Sequence, residues 1–333
     1  MASDITVVVP AYNAARYIDE TLATIFAQTL QPDEIIVVDD CSKDDTVERV
    51  RRYGNRIRLI RCSRNSGGCG TPRNIGIDAA KTNYIVPFDS DDLMHPKKLE
   101  RHMDCVRAVP EAGFWFTDFI WHNAPEGFRG KIAPHCGNHN VFKSWLLPRG
   151  EGLYLLPRQA AFDSLMHDNY IGASSLMVTK RAWRAVGGYN RELGSAEDLD
   201  FSLRMAEKFD FGYTDEVLYR YRIHDAAMSR NKLKILNHAV RVLAPYWNRT
   251  DGDARRGLRR QLGEMEIDLI WHSIDAGRFH EAGQHWWRAL CYGGLWRHKA
   301  VRISLKLALH ALLTARRQMA TALAPRRARS ASS

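Results

Sequence analysis

The sequence predicts an α/β protein: a mostly parallel sheet flanked by helices, followed by an all-helical C-terminal appendage. Three observations predict it. In the first hundred residues, short β-branched apolar runs alternate with stretches of helical periodicity. The runs are apolar at successive positions, as strands covered on both faces are. Beyond residue 226 the strand patterning stops and helical periodicity takes over.

Taken in order, Ile5–Val9 reads as a buried strand. Asn13 is placed to cap the next helix, with Tyr17, Ile18, Leu22 and Ile25 on one face. Glu34–Val38 is a second strand ending at Asp39–Asp40, and Asp44–Asp45 opens a helix through Val47 and Val50. Ile57–Ile60 is a third strand. A glycine-rich loop leads to a helix from Pro72, and Tyr84–Phe88 is a fourth strand. FWFTDFIW from Phe114 is strand-like. The proline-interrupted stretch to about Leu165 reads as a functional loop, with 120–165 a lid or acceptor wall. Ser174–Val178 reads as a strand, and Lys180–Val186 as a helix stopped by Gly187–Gly188. Ala196–Lys208 is a helix with Leu199, Leu203 and Ala206 inward, and Val217–Ile223 closes the sheet. Helices are expected at about 231–247, 253–276, 278–291 and 298–318. Trp271, Trp286, Trp287 and Trp296 are expected to pack between them.

The 333 residues are 45% apolar and 26% charged, ordinary for a globular protein. The start, MASDITVVVP, has no basic segment before a long apolar one, so a secretory signal is not expected. No apolar run approaches the roughly 18 residues of a membrane span. A cytoplasmic protein follows as the expectation. The six cysteines form no CxxC pair, which argues against a disulfide framework. His135, Cys136 and His139 lack the second half of a zinc pattern, and a polar loop is the plainer reading.

The net charge of +10 is unevenly placed. Residues 226–333 hold 20 Lys/Arg against 7 Asp/Glu, while residues 1–225 are slightly acidic, and no acidic residue follows Glu281. Such asymmetry suits an anionic surface. No nucleic-acid motif accompanies it, so nucleic acid is not an expected partner. The stretch Val301–Leu313, with Arg302, Lys306 and His310 on one stripe, has the shape of a helix lying on an anionic membrane, here the inner face of the plasma membrane. A helix packed on its own domain is the competing reading.

The chemistry is concentrated at the carboxyl ends of the expected strands, where open α/β sheets bind ligands. The first strand runs into Pro10-Ala11-Tyr12-Asn13. The second runs into Asp39 and Asp40, which are suited to accept hydrogen bonds from a base or a ribose. The third leads to Asn65-Ser66-Gly67-Gly68-Cys69-Gly70-Thr71-Pro72-Arg73, which is neither GxGxxG nor a Walker A loop. The fourth ends in Asp89-Ser90-Asp91-Asp92. Three carboxylates so close repel unless a cation sits among them, and hard divalent cations often keep substrate phosphates in their shell. Glu197-Asp198 opens a later helix, where a carboxylate can serve as general base. His224 follows the last strand and is a residue type that binds metals.

These segments resemble the GT-A glycosyltransferases, in particular the large inverting family 2. VVVPAYN, EIIVVDDCSKDDT, NSGG…TPRNIGI, VPFDSDD, GASSLMVTKRAWRAVGGYN, AEDLDFSLRM and YRIH occur in the family's order over about residues 5–225. The resemblance implies a GT-A (Rossmann-like) catalytic domain over 1–225, with a helical region over 226–320 and a disordered basic tail over 321–333 outside it. It implies nucleotide binding by Pro10, Tyr12, Asp39, Asp40, Arg73 and Asp89. It implies a DxD motif at Asp89-Ser90-Asp91, with a divalent metal (Mn2+ or Mg2+) held by Asp91, Asp92 and His224. Asp198 is then the catalytic base, beside Glu197. The implied reaction transfers a sugar from a nucleotide-sugar donor, UDP being the family's commonest carrier, to a hydroxyl of a glycan or lipid-linked acceptor in cell-surface polysaccharide synthesis. Pro72 departs from the small residue usual before Arg-Asn, and the Gly-Gly-Cys-Gly stretch is looser than usual. A nucleotidyltransferase would need a glycine-rich basic signature near the N-terminus, which Pro10–Asn13 does not supply. A basic binding module would leave Asp89, Asp91, Asp92 and Glu197–Asp198 unexplained.

Overall fold

The structure is a computed structural model that describes residues 3–121, 142–225 and 228–293. The candidate zinc residues His135, Cys136 and His139 lie outside the described residues. So do Trp296, the 298–318 helix, the 321–333 tail and residues 122–141 of the expected acceptor wall.

The chain folds as β1 (Ile5–Ala11), α1 (Ile18–Phe26), β2 (Glu34–Asp39), α2 (Thr46–Arg51), β3 (Arg58–Arg61), α3 (Gly70–Ala79), β4 (Tyr84–Pro87), β5 (Leu93–Met94), α4 (Lys98–Ala108) and β6 (Phe114–Trp121). After these come β7 (Leu147–Gly150), β8 (Leu153–Leu156), α5 (Arg158–Leu165), β9 (Met177–Thr179), α6 (Lys180–Ala185), α7 (Glu197–Ala206) and β10 (Phe211–Tyr221). Three helices end the described chain: α8 (Lys232–Leu243), α9 (Gly252–Asp275) and α10 (Phe279–Cys291). The 10-stranded sheet has the order β3-β2-β1-β4-β9-β6-β10-β8-β7, with β5 also on β10. β3, β2, β1, β4, β6, β10 and β7 run one way, and β9, β8 and β5 run against them. The α/β expectation therefore holds, with β9 inserted antiparallel between two parallel blocks.

The apolar runs behave as doubly covered strands. All seven residues of β1 are buried, as are five of the six in β2. Helix α3 lies so close on them that a Cβ on Gly76 would come 2.3 Å from Val8 Cγ1. Asn13 is not the cap of α1. It adopts a left-handed φ of 50°, its Oδ1 accepts from Lys43 N at 2.8 Å, and Tyr17 takes the N-cap position without a side-chain bond. Asn13 thus ties the β1 loop to the β2 loop. The 173–175 segment is a 3-10 turn, and only Met177–Thr179 pairs as a strand.

Two compact units divide after Leu258, so α8 packs within the sheet-bearing unit. In the second unit Ile267, Ile270, Ala282 and Ala289 form a small core, with Trp271 and Trp286 packed on it. Trp287 departs from the expected packing: it is 64% exposed on the outer face of α10.

Candidate active site

Register alone sets the first part of the site. Ala11 pairs with Asp39, and Asp39 with Arg61, so the ends of β1, β2 and β3 lie level. Pro10 is buried within β1, whereas Tyr12 just beyond the strand is 46% exposed and offers an open aromatic face. Asp39 is wholly buried. Its Oδ1 accepts from Ser42 N at 3.2 Å, and its Oδ2 has no hydrogen-bond donor among the described residues, only Arg61 Nε 3.6 Å away. A buried carboxylate oxygen left this way is costly and suits a ligand N–H or O–H.

Asp40 has another task. Its carboxylate accepts from Ser66 N at 2.9 Å, Ser66 Oγ at 2.9 Å and Asn65 Nδ2 at 3.1 Å. It therefore organises the glycine-rich loop. The backbone here is strained: Asn13, Cys41 and Ala196 are non-glycine residues with positive φ, each beside a candidate residue.

The acidic turn after β4 divides into front and back. Asp91 faces His224, with Oδ2 2.8 Å from Nε2. The His224 ring lies tilted on Tyr17 at 4.5 Å. Asp92 is turned inward and 1% exposed; its Oδ2 accepts from Ser174 Oγ at 2.6 Å and its Oδ1 from Arg222 N at 3.0 Å. Burial, with the charges of Asp91 and Asp89 added, pushes its pKa well above the carboxylate range. Both oxygens being used this way, Asp92 braces the turn from behind, and of the three expected metal ligands only Asp91 and His224 face each other. Among the described residues no cluster of three His, Cys, Asp or Glu side chains is arranged to hold a metal ion.

Arg73 is the hub of the site. It is 2% exposed, and its Nη2 donates to Asp89 Oδ1 at 2.5 Å while Nη1 donates to Glu197 Oε1 at 2.6 Å. A planar guanidinium with forked donors suits such a bridge. Asn74 next to it fixes the facing loop, donating to Tyr189 O at 2.7 Å and accepting from Tyr189 N at 2.8 Å. Both ends of the Arg73 fork are thus engaged by carboxylates of the protein itself.

Glu197 and Asp198 open α7 behind the strained Ala196. Asp198 accepts from Leu199 N at 2.8 Å. Burial, then the neighbouring Glu197 charge, push its pKa up to about 6. A carboxylate so placed gains proton affinity near working pH, as a general base needs. Glu197 is spent on Arg73, so the two acids differ in task.

Sequence reasoning missed three contributors. Arg222 donates through Nε to Asp91 O at 2.7 Å and through Nη2 to Glu20 at 2.6 Å, stacking on Tyr17 at 4.9 Å. Its place two residues before His224 was the available signal. Ser174 links Asp92 to Asp89 N, which donates to its Oγ at 3.0 Å. Lys98 lies fully buried behind the turn, 2.9 Å from His102 Nε2 and donating to Ser175 O at 3.1 Å.

Comparison with known proteins adds three findings. Residues 6–122 match the model of glycosyl transferase family 2. Over 242 residues the chain is 27% identical to a hyaluronan synthase of Pasteurella multocida, covering 72% of this chain and 22% of that one. Of other curated relatives, uncharacterized glycosyltransferases of Rickettsia conorii and Rickettsia felis, the chain spans about a third of the length (36%). Among solved structures, S. aureus TarS 1-349 in complex with UDP-GlcNAc superposes with a TM-score of 0.55 at 18% identity, over 89% of this chain and 93% of that one. The mannosyltransferase PcManGT of Pyrobaculum calidifontis, in complex with GDP-Man and Mn2+, gives 0.55 at 17% identity, over 93% of this chain and 80% of that one.

Proposed function

We propose that the chain is a GT-A fold glycosyltransferase of family 2 that transfers a hexosyl or N-acetylhexosaminyl group, with inversion, from a nucleoside-diphosphate sugar to a hydroxyl of a glycan or lipid-linked acceptor. The observation that carries the reading is the Arg73 bridge. One buried guanidinium joins Asp89, in the acidic turn that faces a donor, to Glu197, the neighbour of the base, 124 residues beyond Arg73 in the chain. One side chain thereby holds the candidate donor-side and acceptor-side groups together.

In this reading Tyr12 and Asp39 receive the nucleoside, the orphaned Asp39 oxygen accepting its N–H or hydroxyl, and Asp89 faces the ribose. Asp198 takes the proton of the acceptor hydroxyl as that oxygen attacks the anomeric carbon. The bond from that carbon to the diphosphate breaks, and configuration inverts without a covalent intermediate. Asp91 and His224 would hold the divalent cation. A carboxylate oxygen and an imidazole nitrogen, here 2.8 Å apart, are donor types that such a cation accepts. When bound, such an ion neutralises charge on the departing diphosphate. UDP is the favoured carrier, because TarS, similar in fold, was solved with UDP and with UDP-GlcNAc, while the GDP-Man complex of PcManGT keeps GDP in the test; hyaluronan synthase and chondroitin synthase are the names of sequence relatives. Those names also favour polysaccharide synthesis as the setting.

A thermal-shift panel of UDP, GDP, dTDP and CMP, each with and without Mn2+, tests the reading. A nucleotide at about a hundred times its Kd stabilises by roughly 2.7 kcal/mol. One diphosphate should raise the melting temperature with metal present, and Asp91→Asn or His224→Ala should remove the metal-dependent increment. No shift with any nucleotide, with or without Mn2+, would sink the proposal.

A further inference from the structure

Helix α8 lies beyond the segments that carry the family resemblance, yet its first turn touches the site. Asn231 caps it, accepting from Lys234 N at 3.0 Å. The Lys234 ammonium donates to Gly67 O at 2.9 Å. A Cβ on Gly194 would fall 2.6 Å from Lys234 Cε and 2.9 Å from Gly67 O. A Cβ on Gly68 would fall 2.8 Å from Gly194 Cα. Two glycine backbones therefore meet face to face, with one lysine laid across the junction. Ser195 closes the other side, its Oγ 2.9 Å from His238 Nδ1 and 3.3 Å from Lys234 O.

Each loop leads straight to a candidate group. Gly68 O accepts from Ser66 Oγ at 2.9 Å, and Ser66 is fastened to Asp40 at the end of β2. Gly194 and Ser195 lead through the strained Ala196 into Glu197 and Asp198. We propose that Lys234 is a positioning residue, the clamp by which α8 locks the donor-side glycine loop to the loop that presents the base. Its consequence for rate rests on the reading of Asp198 as the base. Gly68 and Gly194 are then required by the close approach and Gly67 by its φ of 81°, and the looseness of the Gly-Gly-Cys-Gly stretch is removed by an outside helix. Asp40 holds the Ser66 side of the glycine-rich loop, while among the described residues the Lys234 side chain alone ties Gly67 to the Gly194 turn, so removing it should loosen both loops together.

Hydrogen exchange on the full chain, comparing wild type with Lys234→Met, decides the clamp. The Met stem keeps the packing on Gly194 and loses the ammonium. Exchange in residues 65–70 and in 193–198 should rise together by about tenfold, with the sheet strands unchanged. Gly194→Ala, which displaces the lysine from its seat, should reproduce the pattern, and Lys234→Arg should restore protection. For the donor found in the thermal-shift panel, kcat in Lys234→Met should fall by about tenfold, since small misplacements are costly. Exchange that rises in only one loop, or in neither, overturns the clamp. Coupled exchange with unchanged kcat overturns its catalytic consequence. Coupled exchange in a wild type that turns over no donor upholds the clamp and rejects the glycosyltransferase reading, so the two failures are separable.

Discussion

The residue that most sharply tests the mechanism is Asp198. Its pKa, pushed up to about 6 by burial and then by Glu197, places its ionisation just below neutral pH. Turnover should rise with pH through about 6 and level off above it, as the base loses its proton. Asp198→Asn should lower transfer by roughly 10²–10⁴-fold while leaving nucleotide binding nearly intact; equal loss of both would count against the role. The same shift has a stability signature. A carboxyl with a folded pKa above its unfolded value favours the folded state while protonated, and that stability drains as pH climbs from about 4 to about 6. The Asn variant lacks the term, so its melting temperature should gain on wild type across that window and hold the gain above it. At this scale the sequence was partly legible. The residue types announce Asp39, Asp91 and His224 by their places at or after strand ends and Asp198 by its place at the start of a helix. What the sequence hides is which carboxylates are spent internally. Asp40 is taken by Ser66, 26 residues on, and Asp92 by Ser174, 82 residues on. No local pattern reports partners that only the fold brings near.

Among the elements, the long doubly covered strands were legible because burial on two faces forces continuous apolar runs, as in β1 and β2. Strands β5, β7 and β8 were not: they span two to four residues, and all four of β7 are exposed, so no periodicity could build up. The 120–165 stretch, read as one long loop, holds β7, β8 and all of α5 in its described part. Packing between elements also inverts a rule of helix propensity. Gly76 sits in α3 where alanine would ordinarily gain up to about 1 kcal/mol. Its Cβ would instead strike Val8 Cγ1 at 2.3 Å and press Val38 Cγ2 at 3.1 Å. Overpacking of a tight core costs about 1–3 kcal/mol or more, so Gly76→Ala should destabilise by about 1–2 kcal/mol net in urea unfolding. In α10, Gly283 meets nothing within 4 Å. Gly283→Ala should be neutral or stabilising by up to about 1 kcal/mol. If both substitutions shift stability the same way, the close seating of α3 on β1 is not what sets the glycine.

For the molecule as a whole, charge is the property that local structure does not explain. The excess of basic residues lies after 225, and from residue 294 on there are Arg297, Lys299, Arg302, Lys306, Arg316, Arg317, Arg326, Arg327 and Arg329 with no acidic residue among them. No helix among the described residues is long and apolar enough to cross a membrane. At a bilayer surface each Lys or Arg near an anionic headgroup contributes about 1 kcal/mol. Three engaged side chains already give about 3 kcal/mol, enough to hold an enzyme at a bilayer reversibly and little enough for salt to release it. The full chain should therefore float with vesicles containing phosphatidylglycerol at low salt, sink with pure phosphatidylcholine, and be released by about 0.5 M NaCl, where screening is nearly complete within a few ångströms. A chain ending at residue 296 should not float, yet should keep its nucleotide-induced thermal shift, since Tyr12, Asp39, Asp91 and His224 all lie in the first unit. Equal flotation with and without residues 297–333 would remove the basic segment from the account, and the acceptor would have to be sought among soluble glycans.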